Sequence, residues 1–307
     1  MQKLLIVGEI NVDLILQGYR AFPTPGKEVL VDDFVMTLGS ASAICAMGLA
    51  RLGTQVAFLG KVGQDPWGDF CLDTMSAAGI DISRVVRDLR IKTGVTVSIT
   101  SPTDRALVSF LGSIRALTGA DVPDVAFEGF THLHTSSYFL QEGLRPDCKD
   151  VLGRAKRRGL TTSLDPGFDP SETWGRDLVE TLHEVDLFFP NEVESYALTG
   201  ERDPVAGLRA LRNGRTRSVA KLGASGAMTL EADAVLHVPA FPVEVVDTTG
   251  AGDSFDAGYL DAFLRGAAPL ECLRRAAACG ALSTRGSGGT STQPSGQEVD
   301  ALLRSHA

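Results

Sequence analysis

The sequence predicts an α/β protein: a central, mostly parallel sheet with helices on both faces, plus a small separate β-sheet lid. Three observations carry this. From residue 121 onward, short aliphatic runs alternate with helix-length amphipathic stretches, the rhythm of strands joined by crossover helices. Late in the chain the β-branched residues Val243, Val245 and Val246 lead through Gly250-Ala251-Gly252 into a segment with Phe255, Tyr259, Ala262 and Phe263 on one side, which reads as strand, glycine turn, helix. The first third of the chain carries extra strands that do not fit the alternation and require a sheet of their own.

Element by element, Leu4–Val7 is a short buried-type strand. Glu28–Thr37 alternates as a strand does, with Val29, Val31 and Val35 on one side. Ser42–Leu52 is helical, Val56–Leu59 is the next strand, and Pro66–Ala78 is a helix ended by Gly79. Thr93–Thr100 and Arg105–Leu111 form a hairpin joined by Ser101-Pro-Thr-Asp104. Strands follow at 131–135, 161–165, 185–189 and 218–222, and helices at 146–158, 191–198, 204–212, 253–265 and 269–284. After residue 284 the chain is too glycine-rich for regular structure. One domain over 1–307 is expected, with lid strands drawn from about 12–38 and 91–112.

A formal net charge of −9 argues against a nucleic-acid-binding surface, so any polyphosphate must be held by local donors. Five cysteines (Cys45, Cys71, Cys148, Cys272, Cys279) stand without a C-x-x-C pair, the pattern of buried free thiols in a reducing compartment. No signal-peptide core and no run of 18 apolar residues is present, and a cytoplasmic location is expected.

The chemistry concentrates in Asp247-Thr-Thr-Gly-Ala-Gly-Asp-Ser-Phe255. Small residues at a helix N-terminus leave backbone N–H groups bare, which makes an anion cradle. Asp253 at its mouth would be a poor phosphate ligand but a sensible proton acceptor. A cradle for phosphoryl charge beside a base equips a site to move phosphate onto a hydroxyl. A simple helix cap needs only one Ser, Thr, Asp or Asn.

This stretch resembles the C-terminal signature of the ribokinase-like, or PfkB, sugar kinases, and further pieces follow that family's order. They are Gly8-Glu-Ile-Asn-Val-Asp13, Phe22-Pro-Thr-Pro-Gly-Lys-Glu28, the span Gly39 to Gly53, Gly60-Lys-Val-Gly-Gln-Asp-Pro-Trp-Gly68, Pro190-Asn-Glu-Val-Glu194 and Lys221-Leu-Gly-Ala-Ser-Gly226. The resemblance implies an ATP- and Mg²⁺-dependent kinase of a small sugar-like metabolite. Asp253 would be the base, Gly250, Ala251 and Gly252 would hold the phosphoryl, and Asn11, Asp13, Gly39 and Ser40 would meet the acceptor. By the same resemblance Asn191 and Glu194 lie near the triphosphate and its Mg²⁺, while Lys221, Gly223 and Gly226 pass the nucleotide. Asp247 and Thr249 with the loop 284–290 could coordinate a monovalent cation such as K⁺, or simply bond to themselves. The lid of such enzymes often pairs with another subunit's lid, so a homodimer is implied; neither nucleic acid nor membrane is an expected partner.

Plainer readings stand beside these. Asp13 could cap its own turn, Asn191 is a standard N-cap, and His132 and His134 alternate on one strand face without a third zinc ligand nearby. The chain departs from the family pattern at Ser40, where a second Gly is usual, and at Ile44, where an Asn is usual. Ile44 either packs in the core or forms an apolar wall of the substrate site, and it puts ribose itself in doubt. A nucleoside kinase of the same fold and a non-catalytic sugar sensor are the competing functions.

Overall fold

The computed structural model describes residues 2–19, 21, 23–100 and 105–306. The expected hairpin linker Ser101–Asp104 and Phe22 of the second motif lie outside the described residues.

In chain order, β1 (Lys3–Val7) is followed by β2 (Asn11–Gln17) and β3 (Asp33–Gly39), then α1 (Ala41–Arg51), β4 (Gln55–Leu59), β5 (Lys61–Gly63), α2 (Pro66–Ala77) and β6 (Val86–Asp88). Next come β7 (Gly94–Thr100), β8 (Arg105–Phe110), β9 (His132–Thr135), α3 (Cys148–Arg157), β10 (Thr161–Leu164), α4 (Arg176–Thr181) and β11 (Leu187–Phe188). The last stretch holds α5 (Glu192–Thr199), α6 (Pro204–Ala210), β12 (Arg217–Lys221), β13 (Ala227–Glu231), β14 (Ala234–Val238), α7 (Ala251–Leu264), α8 (Pro269–Ser283) and α9 (Gly296–Ser305).

An eight-stranded sheet runs in the order β14-β13-β12-β11-β10-β9-β1-β4, parallel from β12 to β4 and antiparallel in the β12-β13-β14 edge. Alternation along β1 divides the core between the two faces. Leu4 and Ile6 join the layer under α1, α7 and α8, and Leu5 and Val7 join the layer under α3. Strand order reverses at β1, because β4 pairs on one side of it and β9 on the other. Ligands of open parallel sheets bind outside the carboxyl ends of the strands at such a switch point. The residues leaving β1, β9 and β10 there are Glu9, Ser137 and Asp165.

The lid is a four-stranded sheet ordered β3-β2-β7-β8. Its register sorts the side chains by period two. Pairings Asp13↔Thr37, Asp13↔Thr96 and Thr96↔Ser109 put polar residues on the face toward the main sheet. Pairings Leu14↔Met36, Leu14↔Val97 and Val97↔Val108 put apolar residues on the other.

Four expectations need correction. The strand expected at Val243, Val245 and Val246 does not form: β14 ends at Val238, and Val245 and Val246 are exposed in an irregular segment whose Val246 N donates to the Thr284 carbonyl. The strand expected at Glu28–Thr37 runs from Asp33 to Gly39, because its length is set by pairing with β2, from Gln17↔Asp33 to Asn11↔Gly39. β2, inside the expected lid range of about 12–38 but given no bounds of its own, is a full strand from Asn11 to Gln17 whose polar positions Asn11 and Asp13 line a cavity. The tail is irregular only to Ser295: Ser295 Oγ accepts from Glu298 N, Glu298 Oε2 accepts from Ser295 N, and this capping box starts α9 over buried Val299. The hairpin β13–β14 also went unread.

Candidate active site

The site is built around the start of α7. Gly250 has φ 72°, a left-handed conformation that glycine adopts without strain, and a Cβ there would stand 2.6 Å from Gly289 Cα. No side chain caps the helix. The Ala251 amide turns back to the Thr248 carbonyl at 3.2 Å, so one of the three expected donors serves the turn itself. Gly252 lies in the first turn of α7, whose N–H groups have no partner within the helix, and Gly250 is its N-cap. A helix N-terminus left open in this way suits an anion.

Two cavities meet at this turn. One, of about 200 Å³, is lined by Glu9, Asn11, Asp13, Ser40, Ile44 and Asp253 among others, with Thr249 and Gly250 at its inner end. The other, of about 510 Å³, is lined by Lys221, Gly223 and Gly226 from the β12–β13 turn, by Phe241, Pro242, Val243 and Val245, and by Ala277, Gly280 and Ala281 of α8. Thr248, Ala251 and Gly252 face it. The motifs at 221–226 and 247–253 therefore share one groove, with Asp253 on its far side in the smaller cavity.

Asp253 keeps part of its surface open to that cavity. The protein packed around it, and then the neighbouring Asp165 carboxylate, push its pKa up to about 7, with Lys221 opposing. A carboxylate poised near neutrality is what general-base work at physiological pH asks for.

Lys221, expected to lie along the nucleotide, lines the larger cavity, and its ammonium is held by Asp165 at 2.5 Å and Asp256 at 3.5 Å. Burial would lower its pKa, but Asp165, Asp256 and Glu194 raise it well above the ordinary value. Burial likewise would raise Asp165, yet Lys221 holds it below the usual carboxylate range. Asp256 is pushed far up by burial, and its Oδ1 is buried without a hydrogen-bond partner among the described residues. Asp165 and Asp256 were missed from sequence. Asp165 lies just past a strand's carboxyl end, a signal that could have found it.

Asn191 and Glu194 form a reciprocal cap on α5: Glu194 N donates to Asn191 Oδ1 at 2.9 Å and Asn191 N donates to Glu194 Oε2 at 2.8 Å. Glu194 is buried, which together with Asp165 pushes its pKa up to about 7. Both sit beside the Lys221 cluster, since Asn191 bridges the Lys221 backbone, and neither lines the two cavities.

On the lid side, Asn11 donates to Thr96 Oγ1 at 2.9 Å and to Asp13 Oδ1 at 3.1 Å, and accepts from Ser40 Oγ at 2.9 Å. Its amide is spent on orienting Asp13 and Ser40. Gly39 is the passage for these side chains: a Cβ there would lie 2.1 Å from Asp13 Oδ1. Ser40 has φ 72° and ψ 132°, a strained conformation for a residue with a Cβ, held by its bond to Asn11. Ile44 is both core and wall: it is 3% exposed, lines the cavity, and meets the space at Gly250 and Gly289. Glu9 was also missed. It accepts from Ser42 N and Oγ, at 3.1 and 2.6 Å, at the cavity floor, and burial raises its pKa against those bonds.

Asp247 Oδ1 accepts from Thr249 N and Oγ1, at 2.9 and 2.7 Å, and Oδ2 accepts from Gly288 N at 2.8 Å. The carboxylate ties the turn to the 284–290 loop that reaches Ile44 from the other side. His132 and His134 are no metal pair: Thr161, Ser163 and Ser136 hydroxyls meet all four ring nitrogens at 2.7–2.8 Å, and burial lowers their pKa values to about 3 and 4. All five cysteines are free and buried.

Whether the residues suit Mg²⁺ can be judged from the donor set. Asp165, Asp253, Asp256 and Glu194 gather around a single Lys221, and carboxyl oxygens are the hard donors that a divalent cation takes, its charge favouring their ionised forms. No group of three or more His, Cys, Asp or Glu side chains forms a cage among the described residues. That suits an ion carried largely by phosphate oxygens and water.

The fold and this site define a phosphotransferase of the ribokinase type. The family model described as "pfkB family carbohydrate kinase" matches residues 1–296, and the chain belongs to that family. It is 30% identical to 2-dehydro-3-deoxygluconokinase of Bacillus subtilis (strain 168), with 89% of this chain and 88% of that protein covered. It is 31% identical to the fructokinase of Klebsiella pneumoniae, covering 95% and 96%. Among solved structures, an E. coli protein provisionally called ribokinase II, in complex with ATP and Mg²⁺, superposes with TM-score 0.84 at 25% identity over all of both chains. No helix among the described residues is long and apolar enough to cross a membrane.

Proposed function

We propose that this chain transfers the γ-phosphoryl group of ATP to a hydroxyl of a small sugar-like acceptor, with Asp253 as general base. The observation that carries the assignment is the meeting of the two cavities at the α7 N-terminus, with the Asp253 carboxylate on the acceptor side. ATP would lie in the larger groove, its adenine against Phe241–Val245 and α8, its phosphates toward Gly223 and the turn. Bound Mg²⁺ would neutralise phosphate charge, with Glu194 and Asn191 acting indirectly. The acceptor would lie on the lid face, oriented by Asp13, with Asn11 and Ser40 as its support and Gly39 giving them room. Asp253 takes the acceptor hydroxyl proton as the oxygen attacks, and the amides of Gly250 and Gly252 stabilise the transferring phosphoryl. Lys221 ties the end of β12 to α7 through Asp256 and to the end of β10 through Asp165, and keeps the acidic cluster partly neutralised. Asp247 and Thr249 shape the turn, and a K⁺ ion would be tested there as an activator.

A nucleoside acceptor is the second reading, favoured by the apolar wall that Ile44 extends. The intact Asp253 and cradle weigh against a sensor without turnover. The lid's apolar face exposes Phe34, Val108 and Phe110, at 53, 60 and 51%, and supports a homodimer through the lid.

The deciding experiment is Asp253→Asn assayed by acceptor-dependent ADP release. Turnover should fall at least about 100-fold, since general-base help is typically worth 10²–10⁴-fold, while ATP binding survives. A variant that keeps most of its activity would remove Asp253 from the role of base.

A further inference from the structure

A buried side chain behind the glycine turn joins the two sides of the reaction. Gln293 lies just before α9 and is 1% exposed. Its Nε2 donates to the Ile44 carbonyl at 2.8 Å and to Ser254 Oγ at 3.1 Å. Ile44 belongs to α1 and lines the acceptor cavity, and Ser254 belongs to α7 and follows Asp253 in the chain. One amide therefore bonds to the helix of the cavity wall and to the helix of the base. The space around it is tight. A Cβ at Gly48 would stand 2.8 Å from Ala257 Cβ and 3.0 Å from Gln293 Nε2, so α1 and α7 meet at a glycine with the amide filling the gap beside it. The loop that leads to Gln293 is fastened elsewhere too. Gly288 N donates to Asp247 Oδ2 at 2.8 Å, Gln17 Nε2 of β2 donates to Ser287 Oγ at 2.9 Å, and the Thr37 hydroxyl of β3 meets that of Thr290 at 3.1 Å. Gln293 is where a loop already tied to the turn and the lid is locked to both helices.

An acceptor resting on the Ile44 wall reaches Asp253 only if α1 and α7 hold their spacing and register. Apolar packing is non-directional, whereas hydrogen bonds from one planar amide are directional. A general base must stand within about 2.6–3.2 Å of the oxygen it deprotonates, and an error of about 1 Å costs about 100-fold. Building on the kinase reading above, we infer that Gln293 is a positioning residue: through Ile44 and Ser254 it sets where the acceptor wall stands relative to Asp253. It lines neither cavity and acts only through these two residues.

The test is acceptor-dependent ADP release with ATP and Mg²⁺, using the best acceptor from a panel of ketoses, aldoses, sugar acids and nucleosides. Gln293→Met keeps the length of the side chain and removes the donor. Its kcat should fall about tenfold, with the acceptor KM changed less than about threefold and ATP affinity by calorimetry less than about twofold. Melting curves give the folded fraction at the assay temperature, so kcat is expressed per folded chain. A merely structural side chain would lower the melting temperature and leave that kcat unchanged. Ser254→Ala removes one of the two bonds and leaves the one to α1; it should cost about fivefold in kcat, and it decides the matter if Gln293→Met does not fold. A kcat per folded chain within about twofold of the wild type, in Gln293→Met or, failing its folding, in Ser254→Ala, would overturn the inference and leave the kinase reading standing. So would a loss confined to ATP affinity. Absence of acceptor-dependent ADP from the wild type with every compound would strike the kinase reading itself, and the inference with it.

Discussion

The two cavities that share the α7 N-terminus are opposites in chemistry. The acceptor side is small, acidic and roofed by a sheet with hydroxyls at alternate positions. The nucleotide side is larger and walled by Phe241, Pro242, Val243, Val245, Phe255 and the small residues of α8, without a carboxylate among its described lining residues. A nucleotide brings its own charges and its own metal, so the protein need supply only an apolar slot and open amides. A polyol brings many weak hydrogen-bonding groups, so the protein must supply oriented oxygens and the base. The glycine turn is where the two demands meet, and Gly250 is the residue both sides depend on.

That comparison breaks first at the turn. In Gly250→Ala the new Cβ would press on the backbone of Gly289 and the Ile44 side chain at a left-handed φ. The amides would shift relative to Asp253. We expect kcat/KM to fall by about 100-fold, because displacements near 1 Å in reacting geometry cost that much. Steady-state kinetics with a melting curve separate this from loss of fold. Ile44→Asn sharpens the acceptor side alone. It should raise the ratio of kcat/KM for ribose to that for the best acceptor by about tenfold, since an unpaired hydroxyl costs about 1–3 kcal/mol. A wild type that already prefers ribose over every other acceptor would contradict the role given to Ile44. The smallest effect on chemistry is expected at the outer face of the lid. Phe110→Glu should convert a dimer into a species near 32.5 kDa by light scattering, with turnover per chain changed by less than about threefold. A wild-type monomer at micromolar concentration would refute the dimer and leave the lid.

The sequence made the parallel sheet legible because buried strands such as Leu4–Val7 and amphipathic helices such as that from Cys148 to Arg157 declare themselves by composition and period. It hid β2, because a strand whose polar face lines a substrate site alternates for chemistry and not for solvent. It hid α9, because a capping box at Ser295 and a single buried Val299 are a faint signal after a glycine run. Within the site, the residues on one continuous motif came out together, Asp247 to Asp253. Glu9, Asp165 and Asp256 did not, because their meaning lies in packing against Ser42 and Lys221 across the sheet. Lys221 shows the same limit: its motif placed it along the nucleotide groove, and only the structure shows its ion pairs with Asp165 and Asp256.

The central claim is that burial and Asp165 hold Asp253 near neutrality so that it can accept a proton. A raised carboxylate pKa means that the folded protein keeps a proton the unfolded chain has released, so stability from this group is present below about pH 4 and is lost as pH rises toward about 7. Activity runs the opposite way, because only the ionised form is a base. The most direct measurement is therefore kcat/KM for the best acceptor against pH, in the wild type and at saturating ATP and Mg²⁺. A limb rising with unit slope and bending near pH 7 is the predicted result. A profile flat from pH 5 to 8 in the wild type would contradict the account.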